Sequence, residues 1–330
     1  YDAGRWRFTA GLRVDFEASK LHYRSYAEAT YTTQTPDGTS YPHAILVDQP
    51  GTLKQSFTEI LPKISVLYRM GSARRNTLYA TVSKGYKAGG FNTQMFSDVL
   101  QQQVMKQMGF GSLYDVADVV TYKPEKSWNY EIGIRSELLF QRLSAELTGF
   151  YMDIQDVQLT KFVNSGNGRI LTNAGKAKSY GIEASLRARI IDGLTADVNY
   201  GFTHATFRDY NNGKEDFKNN FIPYTPRHTF NVGLQYTRLF RNAWIDQFSA
   251  SAQFSGVGKI FWTERNDIYQ KFYGTVNAKV GVRKGIVNVN LWSRNITNTH
   301  YSAFYFESFG NPFIQLGKPF QIGAEVAIAF

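Results

Sequence analysis

The sequence predicts an all-β fold, a transmembrane antiparallel β-barrel wall of roughly twelve strands. Three observations predict it. Apolar and polar residues alternate with the period of a strand, whose side chains point to opposite faces in turn. Charges keep to one of the two parities. Connections alternate long and short, as in barrels with short turns at one rim and long loops at the other. A soluble β-sandwich gives no reason for the last two.

The strands follow in order. In Trp6–Phe16, Trp6, Phe8, Ala10, Leu12, Val14 and Phe16 oppose Arg7, Thr9, Gly11, Arg13 and Asp15. Phe57–Arg69 turns Ile64, Val66 and Tyr68 outward, and Asn76–Gly85 turns out Leu78, Ala80 and Val82. Ser127–Leu138 sets Trp128, Tyr130, Ile132 and Ile134 against Asn129, Glu131, Gly133 and Arg135. Leu143–Gln158 is less regular and has room for a bulge. Tyr180–Ile190, Leu194–Phe207 and His228–Leu239 alternate cleanly, and Ile245–Ile260, Phe272–Arg283 and Ile286–Ile296 come next. The last strand, Pro319–Phe330, opposes Phe320, Ile322, Ala324, Val326, Ile328 and Phe330 to Gln321, Gly323, Glu325, Ala327 and Ala329. Each strand is near the length that crosses a bilayer at a tilt.

Short connections are Arg69–Asn76, Leu139–Arg142, Ile191–Leu194, Phe240–Trp244 and Lys284–Gly285. Long ones are Lys20–Ser56, Tyr86–Lys126, Thr160–Ser179, Arg208–Arg227, Phe261–Lys271 and Thr297–Lys318. With a periplasmic carboxyl terminus, counting backwards puts every long loop outside the cell. Tyr31–Thr35 and Thr39–Ile45, flanking Pro36–Asp37–Gly38, read as an excursion hairpin. Phe96, Leu100, Val104 and Met108 recur every four residues and predict a short amphipathic helix, either packed on neighbouring loops or acting as a lid.

Composition agrees. The chain has 330 residues, no cysteine, 21 Tyr and 25 Phe, enough aromatics for girdles at both membrane interfaces. The absence of cysteine removes disulfides and thiolate metal sites. A mean hydropathy of −0.34 leaves no apolar helix long enough to span. The formal charge of +10 suits an anionic ligand or lipid headgroup, and equally a plain basic surface. No basic run interleaved with aromatics points to nucleic acid. Tyr1 in place of an initiator methionine suggests a mature or trimmed fragment.

No catalytic constellation stands out, so no enzyme and no cofactor are expected. His22, His43, His204, His228 and His300 lack the spacing of a helical zinc site. His204 falls where a lipid-facing hydrolase would hold its base, and also where an interface ring belongs. Asp153 and Asp156 read as solvated carboxylates near a strand end. Arg13, Arg135, Arg187, Arg189, Arg283, Glu131, Glu183 and Glu325 share the inner parity, so the lumen is wet or filled by polar protein. Most of these charges are expected to meet water or a plug. Tyr301–Phe313 carries six aromatics, which either cover neighbouring loops or line a ligand mouth.

At these residues the chain resembles the TonB-dependent outer-membrane receptors. Tyr122–Lys123–Pro124–Glu125–Lys126–Ser127–Trp128–Asn129–Tyr130–Glu131–Ile132–Gly133 is similar to a family segment, as is Asn173–Ala174–Gly175–Lys176–Ala177 through Glu183. Tyr224–His228, Asn295–Tyr301 and the terminal Phe330 match further marks, and Val82–Asn92 resembles siderophore-receptor members. Physically, Pro124 starts a strand because it cannot donate to the ladder, and Gly175 and Gly181 permit tight strand starts.

The resemblance implies a 22-stranded barrel with an amino-terminal plug, driven by the TonB energy-coupling complex. Residues 1–330 then form the carboxyl-terminal portion of the barrel domain, with plug and early strands lying outside it. The implied function is import of a ferric-siderophore-type chelate, which carries its own iron. Outer-membrane lipid and lipopolysaccharide would surround the wall. Expected ligand contacts are Tyr86, Lys87, Phe91, Trp262, Arg265, Tyr301, Tyr305 and Phe306, and Phe330 resembles the membrane-assembly signal. A glycan, cobalamin or haem ligand, a passive twelve-stranded channel and an outer-membrane phospholipase are the alternatives. The haem-receptor mark is absent, with Val119–Val120–Thr121–Tyr122 in its place.

Without native cysteines, single-cysteine labelling tests the parity. Val198→Cys and Ile322→Cys should be shielded by lipid or detergent, while Asn199→Cys and Gln321→Cys should react with polar reagents. The reverse pattern removes the barrel reading. Val198→Arg should cost about 2–4 kcal/mol near the bilayer midplane, and Asn199→Arg should be tolerated.

Overall fold

Strict alternation leaves the backbone one economical solution, a sheet with every interior N–H and C=O paired to a neighbouring strand. A computed structural model describes residues 1–71, 75–110, 115–162, 169–212, 214–241, 244–308 and 311–329. The expected signal residue Phe330 lies outside the described residues, as does Phe309 of the last aromatic loop.

One antiparallel sheet of thirteen strands dominates. Twelve of them form the wall in chain order. They are β1 Trp6–Gln34, β2 Ser40–Met70, β3 Asn76–Lys87, β4 Glu125–Leu138, β5 Leu143–Gln155 and β6 Lys176–Ile191. Then come β7 Leu194–Asp209, β8 His228–Leu239, β9 Gln247–Val257, β10 Tyr273–Lys284, β11 Val287–Arg294 and β12 Gln321–Ile328. The thirteenth, Asp2–Ala3, folds back on β1. Among the described residues no pairing joins β12 to β1, so the sheet is an open arc.

Register carries the two parities across the wall. Phe8, Val66, Ala80, Ile132, Gly149, Ile182 and Phe202 are successive ladder partners and form one apolar row. Thr77, Arg135, Glu146, Ser185, Asn199, Asn231, Ser255 and Thr275 form a polar row on the other face. The apolar face is uncovered, with Ile64, Ile132 and Ile322 at 64%, 59% and 71% exposure. A sheet this wide keeps such a face only against lipid.

The polar face is more self-sufficient than its sequence suggests. Arg135 meets Glu146 at 2.8 Å, Arg187 meets Asp197 at 2.6 Å, Arg13 meets Asp15 at 2.7 Å and Lys279 meets Glu325 at 3.5 Å. These partners belong to the wall itself, not to a plug. Aromatic rings also lie over glycines on the facing strand: Tyr79 over Gly133, Trp292 over Gly323 and Tyr23 over Gly51.

Several boundaries differ from expectation. The chain does not leave the sheet between Lys20 and Ser56, because β1 and β2 stay paired from Trp6↔Tyr68 to Gln34↔Ser40. The excursion hairpin is the far end of this one hairpin. Its tip is closed by Asp37, which accepts from Thr35 and from the Thr39 N–H, with Gly38 at φ +87°. Pairing of β2 with β3 stops at Lys63↔Ser83, where Pro62 has no N–H for the next rung. Pro42 and Pro50 share that parity, so the free edge of upper β2 lacks three donors and resists further pairing. The bulge expected in Leu143–Gln158 is absent. There β5 pairs without a register shift and the chain turns at Asp156, φ +53°. Irregularities sit instead at Lys176/Ala177 and Arg189/Ile191 of β6.

Gly175 precedes β6 at φ +59°, and a Cβ there would overlap the Asp209 carbonyl. Gly175→Ala should therefore lower stability by about 1–3 kcal/mol in denaturant unfolding of the refolded protein. Gly11, open on all sides, is the control, and Gly11→Ala should change stability by no more than about 0.5 kcal/mol.

Candidate functional site

The long connections fold into two linked clusters at one rim. In the first, α1 Phe96–Gln107 and α2 Val116–Val120 pack Val99, Val116 and Val120 against Leu21, Tyr23 and Leu53 of the β1–β2 hairpin. The four-residue spacing predicts this helix, and the structure docks it: Phe96 meets Tyr23 at 4.5 Å and Gln107 donates to the Leu46 carbonyl. Phe91 belongs to this packing and braces α1. Lys87 pairs with Glu125 at 2.8 Å, and Tyr86 is the ladder partner of Lys126. Glu59, 4% exposed, sits between Lys84 at 3.1 Å and Lys126 at 2.5 Å. Sequence reasoning missed that triad because its members lie on β2, β3 and β4, far apart in the chain. Asn92 ties this cluster onward, exchanging two 2.8 Å bonds with the Leu171 backbone.

The second cluster brings together Trp262, Tyr305 and Phe306. With Leu159, Thr160, Pro223, Tyr224, Thr263, Glu264 and Glu307 they line a cavity of about 220 Å³. Trp262 and Tyr305 are 6% and 4% exposed and pack on Ile260. Tyr224 holds the wall together, with its ring 5.5 Å from Trp262 and 5.3 Å from Phe304 and its hydroxyl donating to the Tyr305 carbonyl at 3.0 Å. Its φ of +61° is unusual for a bulky residue and aims the ring at Trp262. Sequence reasoning gives Tyr224 only as part of a family mark, and the backbone geometry reveals its place in the cavity wall.

Polar contacts fasten the loops. Arg265 forks onto Glu215 at 2.7 and 2.5 Å, joining the loop before β8 to the loop before β10. Asn266 accepts from the Phe221 N–H and donates to its carbonyl. Arg265 therefore positions the cavity wall without lining it. Tyr301 is also outside the cavity, stacked on Tyr273 at 4.1 Å and lying over Gly317. Phe306 stacks on Phe313 at 5.0 Å.

The cavity presents aromatic faces and two carboxylates, Glu264 and Glu307. Tyr305 donates to Glu307 at 2.7 Å, and burial, then that carboxylate, push its phenol up to about 12. It remains a hydrogen-bond donor across the physiological range. Such a site stacks on planar groups and accepts hydrogen bonds. Among the described residues no three His, Asp or Glu side chains stand close enough to hold a metal ion. His204 stacks on Tyr180 at 4.8 Å and meets Phe221 edge-on, as part of an aromatic belt. Asp153 is paired to Arg208 at 2.6 Å.

Comparison with known proteins gives a consistent family. The family model described as "TonB dependent receptor-like, beta-barrel" matches residues 1–298. The pesticin receptor of Yersinia pestis is 25% identical over 283 residues, which cover 84% of this chain and 37% of that protein. The crystal structure of the ferric yersiniabactin uptake receptor of Yersinia pestis superposes with a TM-score of 0.72 at 19% identity, covering 99% of this chain and 44% of that one. The ferric-catecholate import receptor Fiu of E. coli K12 gives 0.66 at 19% identity, with 99% and 43% covered. The chain thus spans well under half the length of these proteins.

Trp262→Ala removes a buried ring from the cavity wall. It should cost the loop cluster about 3–5 kcal/mol of local stability. Hydrogen exchange of residues 258–270 and 302–308 should then speed up, while exchange of β7–β9 stays as in the parent.

Proposed function

The chain belongs to the TonB-dependent receptor-like β-barrel family, and we propose that it is the carboxyl-terminal part of a receptor importing a ferric-siderophore-type chelate. That family comprises outer-membrane receptors and transporters rather than enzymes. In this reading the plug and the early strands belong to the rest of the protein, and the TonB complex supplies energy through them. The long loops face the exterior and the carboxyl terminus faces the periplasm. Lipid and lipopolysaccharide contact the apolar face.

The observation that carries the reading is the aromatic cavity at the long-loop rim. Its walls come from four separate connections, which converge only when the barrel wall sets them side by side. Its volume of about 220 Å³ is below the ~300–1,000 Å³ usual for a complete small-molecule site. It therefore takes one planar arm of a chelate, and the remaining contacts come from the plug and the other strands. Relatives whose names state a ferric chelate support the substrate class.

The test uses full-length receptor in cells, at matched surface levels. Tyr224→Ala and Phe306→Ala should each weaken chelate binding by about tenfold, equivalent to about 1.4 kcal/mol. Deleting 301–313 or 86–126 should weaken it further, while trimming Leu139–Arg142 should leave it intact. Import should stop when the inner-membrane energy source is removed. Parent-like binding by both long-loop deletions would move the ligand site out of this half of the barrel.

A further inference from the structure

The apolar face holds a second, larger hollow. A groove of about 570 Å³ runs across β3–β7, bordered by Ala80, Tyr130, Ile132, Tyr151, Ile182 and Phe202, with Gly149 at its floor. It lies within the ~300–1,000 Å³ range of small-molecule sites. Gly149 creates it by lacking a side chain between its ladder partners Ile132 and Ile182.

Nothing in the wall requires that glycine. A Cβ at Gly149 would meet only the Gly181 carbonyl and Ile132 Cγ2, each at 4.0 Å, and its φ is not in the left-handed region. The other two wall glycines of this parity, Gly256 and Gly274, lie under the rings of Phe272 and Phe254. Of the three wall glycines on the apolar parity, Gly149 alone is left open.

The rows above the groove supply a headgroup site. Next to Ile132, Gly149, Ile182 and Phe202 stands an aromatic row, Tyr130, Tyr151, Tyr180 and His204. Beyond it come Trp128, Asp153, Lys178 and Thr206. Arg208 pairs with Asp153 at 2.6 Å, and Lys178 and Arg227 lie within electrostatic reach of His204. Three cations accompany one carboxylate there. The order runs apolar, aromatic, basic along the strands, as lipid runs from acyl chain to interface to phosphate.

We propose that the Gly149 groove binds one acyl chain of a lipopolysaccharide molecule, whose phosphate lies against Lys178, Arg208 and Arg227. This rests on the outer-membrane reading with the long loops outside, which puts the basic row in the leaflet that carries anionic glycolipid. A zwitterionic phospholipid lacks the charge that the basic row complements.

Native mass spectrometry of full-length receptor, purified in detergent from outer membranes, reads the bound lipid directly. The parent should retain lipopolysaccharide, and Gly149→Leu, which fills the groove from the lipid side, should reduce the retained fraction by about tenfold. Lys178→Glu should also reduce it, while Ala196→Leu, on the same parity but away from the groove, should match the parent. In nanodiscs of phosphatidylethanolamine alone the parent should retain no equivalent lipid. Parent-like retention by Gly149→Leu overturns the site, and equal retention of phospholipid overturns the assigned occupant. Should Gly149→Leu fail to reach the membrane, parent-like retention by Lys178→Glu overturns the proposal. Lipid retention is read without chelate, so its failure leaves the transport reading standing, and a receptor that holds lipid but imports nothing fails on transport alone.

Discussion

Backbone pairing in lipid is the constraint from which the rest follows. Each N–H and C=O that enters the hydrocarbon must find a partner in the sheet, because no water is there to replace one. Twelve wall strands meet that demand with their neighbours in chain order, and the alternation of side chains then fixes which face meets lipid. The same constraint explains the ends of the arc. Among the described residues the outer edge of β12, and that of β1 beyond Arg7, have no strand partner.

Once the ladder is set, the wall balances part of its own charge. Arg135 and Glu146 are directly opposed across β4 and β5, and Arg187 and Asp197 across β6 and β7. A cross-strand pair of this kind contributes roughly 0.2–1 kcal/mol. Part of the charge on the polar face is therefore balanced within the wall itself. Rings laid over Gly133 and Gly323 keep that surface even.

Above the membrane the constraint relaxes and the loops build specific structure. Proline decides where it begins: Pro62 ends the β2–β3 ladder and frees the long hairpin on which α1 docks. Side-chain amides then do the work of a ladder. Asn92 holds Leu171, and Asn266 holds Phe221, each through both amide atoms. These clamps bring Tyr224, Trp262 and Tyr305 together although they come from three connections.

The sequence by itself determined the fold class, because a period of two is written in each strand separately and needs no partner to be read. Strand boundaries from β3 to β11 were legible to within a few residues, and so was α1, from the spacing of Phe96, Leu100, Val104 and Met108. The candidate site was legible only in part. Trp262, Tyr305 and Phe306 stood out as loop aromatics, but Phe91 and Tyr301 carried the same signal and are used in packing α1 and covering Gly317. Composition cannot tell a ring that lines a cavity from one that fills it. The role of Tyr224 depends on a backbone angle, Glu59 meets Lys84 and Lys126 across three strands, and the groove at Gly149 exists only where register sets Ile132 and Ile182 beside it. Those facts belong to tertiary structure, since the ladder and the packed loops bring the residues concerned to one place.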